Sequence, residues 1–168
     1  VPAPDENRLW AADSLEVGID AAGDRSGSLP PETSGPIADD DYKFIFGLLD
    51  SGPAVNVLVA EEKIHSAALL PHVRVFRPSA EGTVYEIDLP WSLLKVSGGS
   101  RPTLGLDFQV NDRNAGASEK TAYPWGAGLK GGFVAAKLPS LTLGAPPIGF
   151  TALAWTDLLV WSSHAPLK

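Results

Sequence analysis

A two-residue period dominates this chain. Leu15, Val17 and Ile19 alternate with Glu16, Gly18 and Asp20. Successive side chains on an extended strand point to opposite faces, so such a run has one apolar face and one polar face. The period returns at Tyr42, Phe44, Phe46 and Leu48, at Val55, Val57 and Val59, and at Val73 and Val75. It returns again at Tyr85, Ile87 and Leu89, and at Leu104, Leu106, Phe108 and Val110. Leu138, Leu141 and Leu143 read as a closing strand, and residues 61–72 as a short helix ended by Pro71 or a looped connection. Short alternating runs separated by turn residues predict an all-β fold, an antiparallel two-sheet β-sandwich of jelly-roll-like type. Its expected core is Leu15, Val17, Ile19, Phe44, Phe46, Tyr85, Ile87, Leu89, Leu106 and Phe108.

Composition fits many short elements. Seventeen glycines and fifteen prolines in 168 residues exceed the usual share and fill the segments between the runs. Residues 1–8 read as a linker or frayed end, 9–144 as the sandwich and 145–168 as an apolar tail. That tail carries Phe150, Leu153, Trp155, Leu158 and Trp161, and is expected to pack on the sandwich. With no cysteine there is no disulfide, zinc–thiolate site or cysteine nucleophile. With no methionine the chain lacks a start residue, and we expect a processed or excised piece. The formal net charge of −7 disfavours a phosphate backbone, so no nucleic acid partner is expected, and no apolar run is long enough for a membrane span.

Several polar residues are candidates for ligand chemistry. The indole of Trp10 can stack on the C–H face of a pyranose. Glu16 faces away from Leu15 and Val17, and a carboxylate accepts strong charge-assisted hydrogen bonds from hydroxyls. Gln109 and Asn111 alternate outward on another run and offer both donors and acceptors. Trp125, in a Tyr-Pro-Trp loop, is a further stacking candidate. The plain alternative for the polar three is a solvated sheet face. Asp20, Asp24, Asp39, Asp40 and Asp41 bracket a long loop, and paired flanking strands would bring them together. Such a set suits a hard cation, since like charges would otherwise repel. Glu86 and Asp88 share one face of a strand and are the candidate acids for a glycoside hydrolase. The three histidines form no HExxH or His–x–His pair.

Three stretches taken in order are more specific: WAADSLEVGID (10–20), TVYEIDLPWSLL (83–94) and LGLDFQVNDRN (104–114), with DDDYKF (39–44) between the first two. Together with Trp125–Gly126 and LPSLTL (138–143), they resemble the family 9 carbohydrate-binding modules and, more widely, the DOMON-like sugar-binding sandwiches. The resemblance spans residues 9–144. It implies non-catalytic binding of plant polysaccharide chain ends, as in cellulose and xylan, or of soluble cello- and xylo-oligosaccharides. It also implies structural calcium and a place as a module of a secreted, extracellular glycoside hydrolase. Trp10 falls on a stacking position of the family, whereas the polar pair that members place on the DDDYKF strand falls on Ile45 and Gly47. Family members open with further strands that supply a second clamping tryptophan, and this sequence lacks them. Their absence keeps open a structural fragment with no ligand, and a homodimer formed through exposed sheet edges. A haem-binding DOMON variant is not expected, because it needs axial ligands that a chain with no Met and few His does not offer.

Overall fold

Strand β1 (Ser14–Asp20) is the pivot of the molecule, and every one of its residues is buried. In the computed structural model, which describes residues 6–29, 38, 40–59, 64–79, 82–94, 103–113, 120–142 and 161–162, it lies in a six-stranded antiparallel sheet. One flank of β1 pairs with β3 (Asp41–Leu49), which pairs in turn with β4 (Gly52–Val59). The other flank pairs with β7 (Thr103–Asp112). Beyond β7, β10 (Ser140–Thr142) meets its beginning and β8 (Thr121–Pro124) meets its end. A smaller sheet runs β11–β6–β5, from Trp161–Ser162, Gly82–Ile87 and Val73–Ser79. The short strand β2 (Ser28–Leu29) pairs with β9 (Phe133–Val134) as a ribbon.

The period-two reading accounts for the main core. Leu15, Val17 and Ile19 of β1 join Tyr42, Phe44 and Phe46 of β3 and Val55 of β4 on one face of the large sheet. Val73, Val75, Tyr85 and Ile87 of the small sheet close over them, and the two sheets make the sandwich. Tyr42, Phe44 and Phe46 follow one another along one face, with ring centroids 5.8 and 6.1 Å apart. Leu89, Leu106 and Phe108 are only partly buried and border this core.

The other face of the large sheet carries two small apolar caps. At one end Leu9, from the 3₁₀ turn Glu6–Ala11, packs with Ile45 and Ala54. Its Cδ2 occupies the space a Cβ at Gly47 would need, 2.9 Å from the ideal position. At the other end Leu129, Phe133, Ala135 and Leu138 form the second cap. There Leu129 Cδ2 stands 2.9 Å from where a Cβ of Gly18 would be. Glycine at these two sheet positions lets the caps sit on the backbone.

Three local expectations are corrected. Residues 66–69 do form a short helix (α1), but Pro71 lies inside a following 3₁₀ turn, Leu70–His72, rather than ending the helix. Proline is accepted in a first turn, where its missing N–H has no partner to lose. Leu138 and Leu141 do not share a strand face: Leu138 ends a 3₁₀ turn, Ala135–Lys137, and is buried in the second cap, whereas Leu141 sits exposed on β10. The Tyr and Pro of the expected Tyr-Pro-Trp loop belong to strand β8, Thr121–Pro124. Of the tail 145–168, only Trp161–Ser162 is among the described residues, as an edge strand paired with Tyr85 and Val84. Among the described residues no helix is long and apolar enough to cross a membrane.

Phe46→Ala should lower the unfolding free energy by about 3–5 kcal/mol, the usual cost of emptying a core phenyl site. Phe76→Ala, on the more exposed face of β5, should cost markedly less. Urea denaturation of the two variants beside the parent checks this.

Candidate functional site

Between the two caps the outer face of the large sheet is polar. The register sets Glu16 opposite Gln109 on β7 and Ile45 on β3, and Ser14 opposite Asn111. Of these, Glu16 and Gln109 floor a cleft of about 570 Å³. Trp10 of the first cap forms one wall, and the segment from Leu129 to Gly132 forms the other. Lys43, Asn56 and Lys120 complete the polar lining, with Ala122 and Pro124 of β8 at its edge.

Glu16 is the centre of the arrangement. It is buried on the middle strand, so its charge has to be met by the chain. Lys43 Nζ lies 2.9 Å from Oε2. Oε1 accepts from Asn111 Nδ2 at 2.8 Å and Gln109 Nε2 at 3.3 Å, and Lys120 Nζ approaches it to 3.4 Å. Asn111 also donates to Ser14 Oγ, and Gln109 to Asn111 Oδ1. Burial alone would raise the carboxyl pKa, but the two lysines and the Asn111 bond outweigh it, and Glu16 titrates below its ordinary value. The carboxylate thus stays ionised and orients the donors around it. The Lys120 ammonium also stands 5.6 Å from the centroid of the Trp10 ring, a cation–π contact.

The facing wall depends on a second buried carboxylate. Asp107 accepts the backbone N–H groups of Gly126 at 2.7 Å, Gly128 at 2.8 Å and Leu129 at 3.2 Å, besides that of Phe108 at 2.8 Å. It ties the turn after β8 to β7, and that turn carries Leu129 into the cap and Lys130 to the cleft rim.

The third feature lies at the other end of β1. Asp20 is the cross-strand partner of Asp41, and Gly105 on its other side adds no side chain. Oxygens of Asp20, Asp40 and Asp41 all lie within 4.8 Å of one another. Asp20 accepts from the backbone of Gly23, Asp24 and Arg25, and Asp40 from Ala22. Asp41 is fully buried, and neither of its carboxylate oxygens has a hydrogen-bond partner. Burial, then the charges of Asp20, Asp40 and Asp24, push its pKa up to about 7. An orphaned buried carboxylate beside two others, all hard oxygen donors, fits a divalent cation of the calcium type.

The sequence candidates are therefore distributed as follows. Trp10, Glu16 and Gln109 line one cleft, and Asn111 is buried beside them, bonded to Glu16. Glu16 and Asn111 lie on a buried face rather than a solvated one, because the caps and Lys43 cover it. Trp125 stands outside the cleft, 64% exposed, its ring 5.6 Å from that of Phe108 on the opposite side of the sheet. Asp24 is exposed and outside the three-carboxylate group, and Asp39 lies outside the described residues. Glu86 is held 2.7 Å from Arg74 on the small sheet, and neither it nor Asp88 lines the cleft. Sequence reasoning missed Lys43, Lys120, Asn56 and Asp107. The parity of the DDDYKF run could have placed Lys43 on the face opposite Phe44, whereas the others depend on pairings between distant strands.

No protein-family model matches the sequence, and neither does any curated protein. Among solved structures, the fold is similar to that of a family 9 carbohydrate-binding module from Caldicellulosiruptor kristjanssonii, solved in complex with cellotriose. The TM-score is 0.56 at 13% sequence identity, and the match covers 86% of this chain and 64% of that one. The chain thus has the fold of the family 9 carbohydrate-binding modules and spans less than two thirds of that module's length.

Glu16→Gln leaves Lys43 buried without its counter-charge, which should cost about 3–5 kcal/mol near neutral pH. A carboxyl with a depressed native pKa supplies stability that is present above its unfolded value and lost as pH falls through the native one. The gap in thermal stability between parent and Glu16→Gln should therefore narrow below about pH 4.5, as melting curves across pH 3–7 can test. Asp107→Ala should both destabilise the fold and detach the Leu129–Gly132 wall. Raised amide exchange confined to that segment is the expected sign.

Proposed function

We propose that this chain is a non-catalytic carbohydrate-binding domain whose ligand lies in the Trp10–Glu16–Gln109 cleft. The observation that carries the reading is an aromatic plate beside a pre-ordered set of polar groups, the pairing that a pyranose ring with its hydroxyls requires. Trp10 supplies the plate. Gln109, Lys43 and Asn56 supply polar contacts, and Glu16 with Asn111 holds Gln109 and Lys43 in place. The cellotriose bound by the module of like fold supports cello-oligosaccharides as first ligands to try, with xylo-oligosaccharides beside them. On this reading the domain targets a polysaccharide-degrading partner, such as an extracellular glycoside hydrolase, to its substrate.

We further propose that Asp20, Asp40 and Asp41 hold a structural calcium ion. The support is the unpartnered, buried carboxylate of Asp41 and its register opposite Asp20. Bound there, the ion would neutralise the acidic end of β1 and pin the loop that follows it. It would take no part in sugar recognition, because the cluster lies at the Asp20 end of the strand, past Gly18 and the second cap.

Calorimetry with cellotriose should give saturable binding without release of reducing ends. Trp10→Ala should weaken that binding at least about tenfold, and unaltered affinity would move the site elsewhere. For the metal, adding calcium to chelator-treated protein should raise Tm, since a ligand bound only by the native state stabilises it. Asp41→Asn should raise Tm in chelator, by removing an uncompensated buried charge, and should abolish the calcium response. A chelated parent that melts as the calcium-loaded one does would remove the ion.

A further inference from the structure

The charge lining the cleft opposes that of the chain. The whole sequence carries a formal net charge of −7. Among the described lining residues, however, three lysines (Lys43, Lys120 and Lys130) face a single carboxylate, Glu16. Screening confines the influence of exposed charges to about 8 Å at physiological salt, so an incoming group in the cleft responds to these lysines rather than to the distant acidic surface.

The position of Lys120 is more specific. Its ammonium stands over the Trp10 ring and at the same time 3.4 Å from Glu16. It is the longer and more exposed of the two lysine contacts on Glu16, since Lys43 already pairs with the other carboxylate oxygen at 2.9 Å. A pyranose stacking on that face of Trp10 must move Lys120 off the ring and forfeit the cation–π contact. A neutral sugar gives the displaced ammonium nothing in return beyond an ordinary hydroxyl. A sugar bearing a carboxylate gives it a new counter-ion within the cleft, in a charge-assisted hydrogen bond. Lys130, exposed on the facing wall, stands as a second cation for the same group.

We infer that the cleft is selective for acidic sugars, and that its ligand is an oligosaccharide carrying a uronic acid unit whose carboxylate is taken by Lys120, with Lys130 across the cleft. The inference rests on reading the cleft as a sugar site and adds the chemical class of the sugar. Ring stacking and hydroxyl contacts are shared by neutral and acidic sugars, so the lysines set the preference between them.

Cellobiose and cellobiouronate test this directly, because they differ only in a hydroxymethyl group against a carboxylate. Titration calorimetry, with the Trp10 indole followed by NMR, should show the uronate binding about tenfold tighter, the difference between a charged and a neutral hydrogen bond. The advantage should fall as sodium chloride is raised, while cellobiose affinity holds nearly constant. Lys120→Gln should shrink the ratio by weakening the uronate. If that variant does not fold, the salt series on the parent protein still decides. Equal affinities, or tighter binding of cellobiose, would overturn the acidic-sugar inference and leave the sugar-binding reading standing. If neither sugar perturbs Trp10, both fall together.

Discussion

A negative charge on the central strand is the constraint around which this molecule is organised. Strand β1 is covered on both faces, and Glu16 sits in its middle. A buried carboxylate is tolerable only if cations and donors surround it closely, since desolvation otherwise exceeds any gain. The chain meets this from three elements: Lys43 from β3, Gln109 and Asn111 from β7, and Lys120 just before β8. The requirement ties the registers of β1, β3 and β7 together. A slip by one residue would turn Glu16 toward Phe44 and Phe46 and leave Lys43 without its partner.

The two acidic centres on this sheet face show opposite solutions to the same problem. At Glu16 every partner of the carboxylate is a donor or a cation, and the carboxyl titrates low. At Asp41 the cross-strand neighbour is another aspartate, a pairing that strands ordinarily avoid, and the carboxyl is driven up. The backbone of the loop after β1 already occupies Asp20. No described donor reaches Asp41, so relief there must come from a proton or from a cation supplied by the solvent. A carboxylate that the chain neutralises for itself orders the side chains around it, whereas one it leaves bare is suited to an ion.

Much of this was legible from alternation alone, for a physical reason. A sheet with one apolar face imposes a period of two on each strand, so β1, β3, β4 and β7 announce their core faces, and their opposite faces follow by parity. That parity puts Glu16 on one face of β1 and Gln109 with Asn111 on one face of β7. Their meeting, however, depends on β1 pairing with β7 across some ninety residues of sequence, a separation that local pattern does not encode. The same limit hid Lys120 and Asn56. Trp125 illustrates the opposite case. An exposed Tyr-Pro-Trp segment reads like a binding loop, but β8 pairs Tyr123 with Val110 and Pro124 with Gln109. That register gives the cleft the proline and sends both aromatics to the other side. The caps were also illegible, because Leu9, Leu129 and Leu138 belong to turns with no period. Their trace in the sequence is glycine, at 18, 47 and 105 among other positions, where the sheet makes room for them.

Glu16 also limits what any ligand can do in the cleft. Its two oxygens already take Lys43, Asn111, Gln109 and Lys120, and little of the carboxylate remains open to solvent. A sugar hydroxyl that bonded Glu16 directly would have to displace one of these partners and uncover part of a buried charge. Contact through the outer members of the network leaves the charge compensated. The most dispensable of the four is Lys120, which is the longest contact and the most exposed of the two lysines. Recognition can therefore draw on Lys120 and the amide of Gln109 while Lys43 and Asn111 hold the carboxylate. On the proposed sugar-binding reading, stability and binding would fall to different neighbours of the same residue, and a change at position 120 would alter ligand preference without unfastening the central strand.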